Sequence, residues 1–251
     1  MDKLYYKEYY TLERSHWWFK ARLEILESFV RKMRFAPERP PAILNAGAAT
    51  GATSVMLKRY GEVTSLEYDR DCAAFLEEIL GEEVLRDSFT ELSLRDDSVD
   101  LVCAFDVIEH IDEHREAVRE AHRVLRDGGR LFLTVPAFQS LWSEHDEINH
   151  HFRRYRLGEL VSLLRDNGFV VEYASYLNFV LFAPIAAVRF AAKLLPKRAT
   201  AASTGSDFER FESKLLDKVL YGVFKAEQVF FDRGWRLPFG VSAMAIASKQ
   251  G

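Results

Sequence analysis

Between residues 42 and 175, short apolar runs alternate with amphipathic segments, and this alternation constrains the fold more than any other feature of the chain. Short apolar runs are typical of buried strands, whereas the segments between them have helical spacing. Strands that alternate with helices of this length form crossover units, which build a mostly parallel sheet covered by helices on both faces. The predicted strands are 42–46, 62–67, 82–87, 99–106, 129–135 and 169–175, and the predicted helices are 52–60, 71–80, 112–126 and 157–167.

The alternation stops after residue 176, and the chain is therefore predicted to have four parts. They are an N-terminal helical cap (1–40), an α/β core (41–176), a helical insertion (177–237) and a final strand of the core sheet (238–251). The insertion contains an apolar run, a linker of small polar residues at 199–207 and an amphipathic helix over about 208–232. We expect a doubly wound, Rossmann-like α/β fold with a mostly parallel, seven-stranded sheet.

Cysteine content and charge limit the location and the partners of the chain. Two cysteines, Cys72 and Cys103, cannot form a disulfide framework, which favours a reducing compartment. The N-terminus lacks the pattern of a secretion signal, so we expect a cytoplasmic protein. The net charge of −4 divides into +3, −12 and +5 over residues 1–40, 41–185 and 186–251. The acidic centre argues against nucleic acid as a partner. The basic flanks are either solvated helix faces or contacts for an anionic surface.

The segment from residue 42 to 61 is predicted to be a strand, a turn with glycine at both ends, and a helix. In open α/β sheets, ligands bind at such turns beyond the carboxyl ends of the strands. Gly47 and Gly51 allow backbone to approach a ligand, and Ala48 and Ala49 keep the turn small, although alanine tolerates positive φ poorly. A dinucleotide site requires G-x-G-x-x-G. The turn departs from that pattern, which argues against NAD.

Polar side chains are predicted at the ends of the next two strands. Glu67, with Asp69 nearby, ends the second strand and suits a ribose diol, which NAD and S-adenosylmethionine both carry. Asp87, followed by Ser88 and Phe89, ends the third strand and suits an adenine. A nucleoside without a pyrophosphate needs these contacts but no phosphate cradle, so the two-glycine turn is compatible with it.

These motifs resemble the class I S-adenosylmethionine-dependent methyltransferases, in particular the bacterial small-molecule group related to the ubiquinone-pathway O-methyltransferases. The family shows a hydrophobic pair, an acid and G-C-G-T-G where this chain has ILNAGAATG, so Asn45 replaces the acid and Ala49 the middle glycine. The segments VTSLEYD, LRDDSVDLVCAFDVIEHI and EAHRVLRDGGRLFLTVP resemble the motifs that follow. The resemblance covers about residues 40 to 175, and the closing strand matches the family's seventh, antiparallel strand.

The resemblance implies that S-adenosyl-L-methionine is the cofactor and S-adenosyl-L-homocysteine the product. The turn would face the methionine part, Glu67 and Tyr68 the ribose, and Asp106 the methionine end beside the substrate. The cofactor-binding residues implied in this way are Asn45, Gly47, Ala48, Ala49, Gly51, Glu67, Tyr68, Asp87, Ser88, Phe89 and Asp106.

Methyl transfer from a sulfonium needs an in-line approach of the nucleophile, and a hydroxyl acceptor also needs a base. Glu109 and His110 follow the fourth strand, and His145 and His151 lie in the loop after the fifth, so these four are the catalytic candidates. His110 and His114 are spaced like a metal pair on one helix. However, Asp112 is predicted to be the N-cap of that helix, which leaves His110 outside it. No metal site is therefore predicted.

Residues 136–160 are predicted to form a polar loop above the acceptor site. A pattern similar to L-W-S-x-H-D, followed by H-x-R-R-Y, is found in many bacterial methyltransferases of this group. The substrate-binding candidates are Trp142, Asp146, Arg153, Arg154 and Tyr155. The two arginines would pair with an anionic acceptor, since a guanidinium binds carboxylate or phosphate with two parallel bonds. The alternative is a surface loop whose Arg–Asp pairs only hold its shape.

Two apolar segments leave alternatives open. Trp17, Trp18 and Phe19 either cover the cofactor or anchor the first helix to the sheet. Residues 179–198 contain an apolar run with a basic end that is too short and interrupted for a membrane span. That run lies at a membrane interface on the inner face, or it packs on the sheet, forms a dimer contact or covers an apolar acceptor.

The sequence therefore predicts methyl transfer from S-adenosylmethionine to a small-molecule or lipid-linked acceptor, with oxygen as the expected atom. Nitrogen or carbon as the attacked atom, an NAD-dependent oxidoreductase and a non-catalytic cofactor-binding protein are the alternatives. Both a monomer and a homodimer fit the sequence.

Overall fold

Six strands form one mixed sheet in the computed structural model, which describes residues 3–194 and 213–250. In chain order the strands are β1 (Ala42–Ala46), β2 (Glu62–Leu66), β3 (Val99–Phe105), β4 (Leu125–Pro136), β5 (Phe169–Leu177) and β6 (Ser242–Lys249). Their order across the sheet is β2-β1-β3-β4-β6-β5. Strands β1 to β4 pair in parallel, whereas β6 is antiparallel to both β4 and β5. The prediction of a final strand that returns to the sheet is confirmed.

The strand predicted at 82–87 is reduced to a single bridge between Leu85 and Leu66. Leu85 exchanges backbone hydrogen bonds with Ser65 and Glu67, each 2.9 Å long. Val84 is buried and Leu85 is partly buried, but the residues on either side of them are polar and exposed, so the segment has too few buried side chains to extend the edge beside β2. The described sheet therefore has six strands where seven are predicted.

Helices cover both faces of the sheet, as predicted. They are α1 (Lys3–Ser15), α2 (Trp17–Val30), α3 (Ala52–Leu57), α4 (Arg70–Leu80), α5 (His114–Val124), α6 (Glu144–Ile148), α7 (Leu157–Asp166), α8 (Phe182–Leu194), α9 (Lys214–Lys225) and α10 (Gln228–Asp232). The helix predicted over 208–232 is divided into α9 and α10, and its first residues, like the linker at 199–207, lie outside the described residues.

Alternate residues of the central strands supply two separate hydrophobic cores. Val102 and Leu133 face the layer that contains α5 and α7. Leu101 and Phe132 face the opposite layer, which α2, α9 and α10 cover. All four side chains are fully buried. This two-sided burial explains why β3 and β4 read as continuous apolar runs and confirms the doubly wound arrangement.

Two of the helices outside the α/β core, α1 and α8, pack against segments that follow the strands. Helix α1 contacts α3 and α4, while α8 contacts the 3-10 helix at Gln139–Leu141 that follows β4. Within residues 3–194 and 213–250, no helix combines the length and the hydropathy that crossing a membrane requires.

Candidate active site

A cavity of about 1730 Å³ lies at the carboxyl ends of β1, β2 and β3. Its walls are formed by α1, the turn after β1, the ends of β2 and β3, the loop after β4 and helix α8. A site for one drug-sized ligand has roughly 300–1,000 Å³. The cavity therefore has room for a cofactor and a second molecule side by side.

The turn after β1 is held in an unusual backbone conformation. Gly47, Ala49 and Gly51 have φ values of +66°, +46° and +89°. A Cβ on Gly47 would lie 2.6 Å from Val107 Cγ2, so only glycine fits there without displacing a neighbour. Of the predicted turn residues, Gly47, Ala48 and Ala49 line the cavity, whereas Gly51 and Asn45 do not.

Asn45 joins β1 to α3 instead of facing the cavity. Its Nδ2 donates to Thr53 Oγ1 and to Ser54 Oγ, both at 2.8 Å, and Ser54 Oγ is 2.8 Å from Ser65 Oγ. The side chain is 1% exposed. An amide can therefore do the turn-orienting work of the family's acid without a buried charge.

The Glu67 carboxylate lies beside the turn, as predicted. Its Oε2 accepts a hydrogen bond from Ala49 N at 3.0 Å and its Oε1 accepts one from Asp69 N at 3.1 Å. Burial raises the pKa of Glu67, and these backbone bonds oppose the increase. Each carboxylate oxygen has a further lone pair that can accept from a ligand in the cavity. Tyr68, which is 74% exposed, also lines the cavity.

The three residues predicted for an adenine, Asp87, Ser88 and Phe89, line the cavity as well. Asp87 Oδ2 accepts from Ser93 N and Ser93 Oγ, at 2.7 and 2.6 Å. These bonds fix the carboxylate in the loop after the single bridge, so the lost strand does not move it from the site.

Asp106 ends β3 and is held by an arginine that the sequence analysis missed. Arg22, from α2, places Nη2 2.7 Å from Asp106 Oδ2 and 2.6 Å from Thr134 Oγ1. Thr134 Oγ1 in turn donates to Asp106 Oδ1 at 3.0 Å. Asp106 has φ +57°, a conformation that costs energy for a residue other than glycine. The available signal was a lone arginine on the apolar face of α2.

Glu109, His110 and His151 come together beside the loop after β4, and their ligand atoms lie within 4.8 Å of one another. Glu109 is fully buried, and neither of its carboxylate oxygens has a hydrogen-bond partner among the described residues. Burial, followed by the nearby Asp106, raises the pKa of Glu109 well above its usual value. Burial and His151 lower the pKa of His110 to about 4.

Each histidine of this cluster is oriented by a bond at its Nδ1. His110 Nδ1 is 2.8 Å from the carbonyl oxygen of Asn149, and His151 Nδ1 is 2.8 Å from Asp146 Oδ1. With Nδ1–H as the donor in both rings, each Nε2 keeps a lone pair. The predicted candidates His110 and His151 thus meet, with ring centroids 4.5 Å apart.

The pairing of His110 with His114 does not occur. His110 lies in a 3-10 helix, Ile108–His110, and α5 begins at His114 with Glu113 as its N-cap, so the prediction of Asp112 as N-cap is wrong. Asp112 instead pairs with Arg153 at 2.9 Å. His114 Nδ1 is 2.7 Å from Tyr155 Oη. His145, the fourth catalytic candidate, lines the cavity next to Asn149.

The polar loop after β4 is built around a buried ion pair. Arg154 donates from Nε and Nη2 to the two oxygens of Asp146, at 2.8 and 2.9 Å. Burial opposes ionisation of Asp146, but the bonds from His151 and Arg154 outweigh it and lower the pKa of Asp146. Of the predicted substrate residues Arg154 lines the cavity, whereas Trp142, Asp146, Arg153 and Tyr155 lie outside its lining. Both arginines are paired with aspartates, Arg153 with Asp112 and Arg154 with Asp146, as expected for the alternative in which Arg–Asp pairs hold the shape of the loop.

Aromatic and aliphatic side chains close the remaining sides. Trp17, Trp18 and Phe19 line the cavity, and the first two also pack against Phe224 of α9, so they both cover the site and anchor α2. Helix α8 contributes an apolar wall formed by Pro184, Ile185 and Val188. At its foot, the side-chain amide of Asn178 is buried in the lining with no hydrogen-bond partner among the described residues. Sequence reasoning did not identify Asn178.

Comparison with known proteins agrees with this geometry. Residues 44–133 match the family model described as a methyltransferase domain. A probable S-adenosylmethionine-dependent methyltransferase of Mycobacterium tuberculosis is 32% identical over 164 residues, which cover 63% of this chain and 58% of the relative. The chain thus spans less than two thirds of that relative's length.

Two solved structures have the same fold. Geranyl diphosphate C-methyltransferase from Streptomyces coelicolor, in complex with Mg²⁺, geranyl diphosphate and S-adenosyl-L-homocysteine, has a TM-score of 0.58 at 14% identity and covers 90% of this chain and 77% of its own. The 4+2 cyclase SpnF has a TM-score of 0.57 at 17% identity, with 90% and 80% covered. Residues 44–133 are thus similar to a methyltransferase domain, and the chain has the Rossmann-like α/β fold that these solved structures share.

Proposed function

We propose that this protein transfers a methyl group from S-adenosylmethionine to a small-molecule or lipid-linked acceptor. The observation that carries the proposal is the continuity of the cavity, which joins the turn at Gly47 and the Glu67 carboxylate to the apolar wall of α8. The residues present fit the cofactor, since the small turn residues Gly47, Ala48 and Ala49 line the cavity beside Glu67, whose carboxylate offers acceptors for a ribose diol. When bound, the cofactor supplies an electrophilic methyl group.

In this proposal each wall of the cavity holds one part of the cofactor. Gly47, Ala48 and Ala49 face the methionine part and Glu67 with Tyr68 the ribose. Asp87, Ser88 and Phe89 hold the adenine. The carboxylate of Asp106, fixed by Arg22 and Thr134, faces the methionine end next to the acceptor. None of these contacts requires a phosphate cradle, which favours the proposal over an NAD-dependent oxidoreductase.

The acceptor is proposed to be largely apolar, with a hydroxyl that is methylated. Pro184, Ile185 and Val188 offer it an apolar wall, and the buried amide of Asn178 offers it a hydrogen bond. The resemblance to ubiquinone-pathway O-methyltransferases supports oxygen as the attacked atom. Nitrogen and carbon stay alternatives, because the same fold serves each of these reactions and the cyclase SpnF as well.

His151 is the proposed base. Asp146 holds its Nδ1–H and thereby presents the Nε2 lone pair to the cavity, an arrangement that orients a histidine for proton abstraction. As the acceptor oxygen bonds to the methyl carbon, the carbon–sulfur bond breaks and its electron pair stays on sulfur, while the hydroxyl proton passes to Nε2. His145 is the second candidate for the base, and Glu109 and His110 are the remaining candidates.

We also propose that the chain keeps the four-part division at residues 40, 176 and 237, with α8 as a wall of the acceptor site. Contact of residues 179–198 with the inner face of a membrane is the second reading of this segment, of which 195–198 lie outside the described residues. Val188 and Phe190 are 70% and 47% exposed, and these exposed apolar side chains support membrane contact as the alternative. A monomer and a homodimer both fit.

The experiment is calorimetric titration of the purified protein with S-adenosylmethionine, S-adenosylhomocysteine and NAD. We expect the first two to bind with 1:1 stoichiometry and NAD to give no signal. Glu67→Ala should weaken binding of S-adenosylhomocysteine by at least about tenfold, because a charge-assisted hydrogen bond contributes about 1.5–3 kcal/mol. Glu62→Ala, at the exposed start of the same strand, is the matched control and should bind normally. Binding of NAD alone, or equal losses in the two variants, would overturn the proposal.

A further inference from the structure

We propose that Glu109, His110 and His151 form a binding site for a divalent transition-metal cation, with Zn²⁺ as its probe. Two imidazoles and one carboxylate are a common ligand set for Zn²⁺ and for other first-row divalent ions. The three residues come from the segment after β3 and from the loop after β4, so only the folded chain brings them together.

The buried carboxylate of Glu109 is the first observation that points to a ligand. Neither oxygen has a partner within the part of the chain that the structure describes, and the residue is fully buried. An unpaired buried carboxyl group costs free energy, and such groups are normally hydrogen-bonded or coordinate a metal. A cation between the three side chains would give Glu109 its missing partner.

The orientation of the two imidazoles is the second, independent observation. His110 is fixed at Nδ1 by the carbonyl of Asn149 and His151 is fixed at Nδ1 by the Asp146 carboxylate, each at 2.8 Å. Metal-bound histidines typically donate their other ring N–H to a carbonyl or a carboxylate in this way. Asp146 is itself held by Arg154, so the outer sphere is already assembled.

The distances between the three ligand groups allow a cation to bind after a small movement of the side chains. The ligand atoms lie within 4.8 Å of one another, whereas a tetrahedral ion with bonds of about 2.1 Å separates its ligands by about 3.4 Å. Binding therefore needs the set to contract by at most about 1.4 Å. His110 is the exposed member of the set and ends a 3-10 helix, so it is the ligand best placed to make this shift.

Three protein ligands leave one position open to the cavity, as in catalytic zinc sites. A cation there would hold the oxygen of the acceptor and lower its pKa, a role that rests on the proposed function. Binding of the cation itself does not depend on the proposed function. The Nε2 of His151 cannot serve as ligand and as base at once, so the same titration decides between these two uses.

The test is calorimetric titration of Zn²⁺ alone into the full-length protein after removal of metals with a chelator, with Mg²⁺ as the comparison ion. We expect one Zn²⁺ per chain and much weaker binding of Mg²⁺, which prefers oxygen ligands. Glu109→Gln and His151→Asn should each weaken Zn²⁺ binding by more than the 10–100-fold that loss of an outer-sphere partner typically costs. Co²⁺ should give the visible absorption of a nitrogen- and oxygen-ligated site, and His151→Asn should lose it.

His150→Asn is the matched control, because His150 is adjacent, exposed and outside the cavity lining. Its φ of +54° also suits asparagine. Circular dichroism and binding of S-adenosylhomocysteine show that each variant is folded. Absence of Zn²⁺ binding to the folded wild type, or an equal loss in His150→Asn and His151→Asn, would overturn the cation site. Either result would leave cofactor binding, and hence the proposed function, intact.

Discussion

Arg22 Nη2 lies 2.7 Å from Asp106 Oδ2, which ties the N-terminal helix α2 to the end of the central strand β3. The Arg22 side chain is 8% exposed and that of Asp106 is 29% exposed, so the pair is only partly screened by water. The same guanidinium group bonds to Thr134 of β4. A residue of the N-terminal helices therefore positions the acid that the proposed function assigns to the methionine end of the cofactor.

Replacement of Arg22 should destabilise the fold more than loss of a surface ion pair. Arg22→Met leaves Asp106 without its charged partner, and we expect the free energy of unfolding to fall by about 2 kcal/mol. Arg59→Met is the control, since Arg59 pairs with Glu27 at 2.9 Å but is 57% exposed. Its loss should be at most about 1 kcal/mol. Urea unfolding measures both, and equal losses would contradict the role assigned to Arg22.

Glycine at position 49 should stabilise the turn. Ala49 has φ +46°, which costs an L-residue with a Cβ about 1–2 kcal/mol, whereas glycine adopts it freely. After the larger entropy loss of glycine on folding, we expect Ala49→Gly to raise the unfolding free energy by about 0.5–1 kcal/mol. Ala48→Gly should lower it by about 1–2 kcal/mol, because Ala48 is buried and its φ is not positive. Thermal or urea unfolding measures the stability of both variants. A loss of stability in Ala49→Gly as well as in Ala48→Gly would refute backbone strain at Ala49.

The Asp146–Arg154 pair should be far more important for stability than the pair that Arg153 of the same loop forms with Asp112. Asp146 is fully buried, so Asp146→Asn leaves a buried guanidinium and should cost about 3–5 kcal/mol. The Asp112 side chain is 65% exposed, and Asp112→Asn should cost less than about 1 kcal/mol. Urea unfolding of both variants at neutral pH provides the comparison. A small loss for Asp146→Asn would mean that the pair does not hold the loop.

Glu227 should make stability depend on pH. Its carboxylate is buried between α9 and α10 and accepts from Asn178 N and Val180 N, at 2.9 and 3.0 Å. Burial raises its pKa to about 7, and only backbone N–H groups oppose the increase. Because the folded pKa lies above the unfolded value of about 4.5, its contribution is complete below pH 4.5 and is lost as the pH rises through 7. The linked change is about 3 kcal/mol.

Glu227→Gln cannot ionise and isolates this contribution. We expect the unfolding free energy of the variant, relative to the wild type, to increase between pH 5 and pH 8. Urea unfolding at the two pH values measures the difference, and the other carboxyl groups cancel because both proteins carry them. A difference that is the same at both pH values would show that Glu227 titrates normally.

The apolar periodicity was sufficient to predict the order of helices and strands, because burial on both faces imposes an uninterrupted apolar run on β3 and β4. It failed at residues 82–87, where Val84 and Leu85 are the only apolar side chains that pack against the core, and they support only the bridge at Leu85. It also merged α9 with α10, because both have the same apolar spacing and Glu227 interrupts them through tertiary bonds to Asn178 and Val180.

Local patterns likewise determined one half of the candidate site. Gly47 follows the first predicted strand, and Glu67 and Asp87 end the next two. Parallel strands end at one edge of the sheet, so the proximity of these residues follows from chain order. The sequence by itself thus determined the sheet and the edge of the cavity at the strand ends. Only the tertiary structure decided the rest of the cavity, where Arg22 meets Asp106 and His151 meets Glu109 and His110. These contacts join segments whose spacing in sequence carries no period, and packing of helices and loops on the sheet is what brings them together.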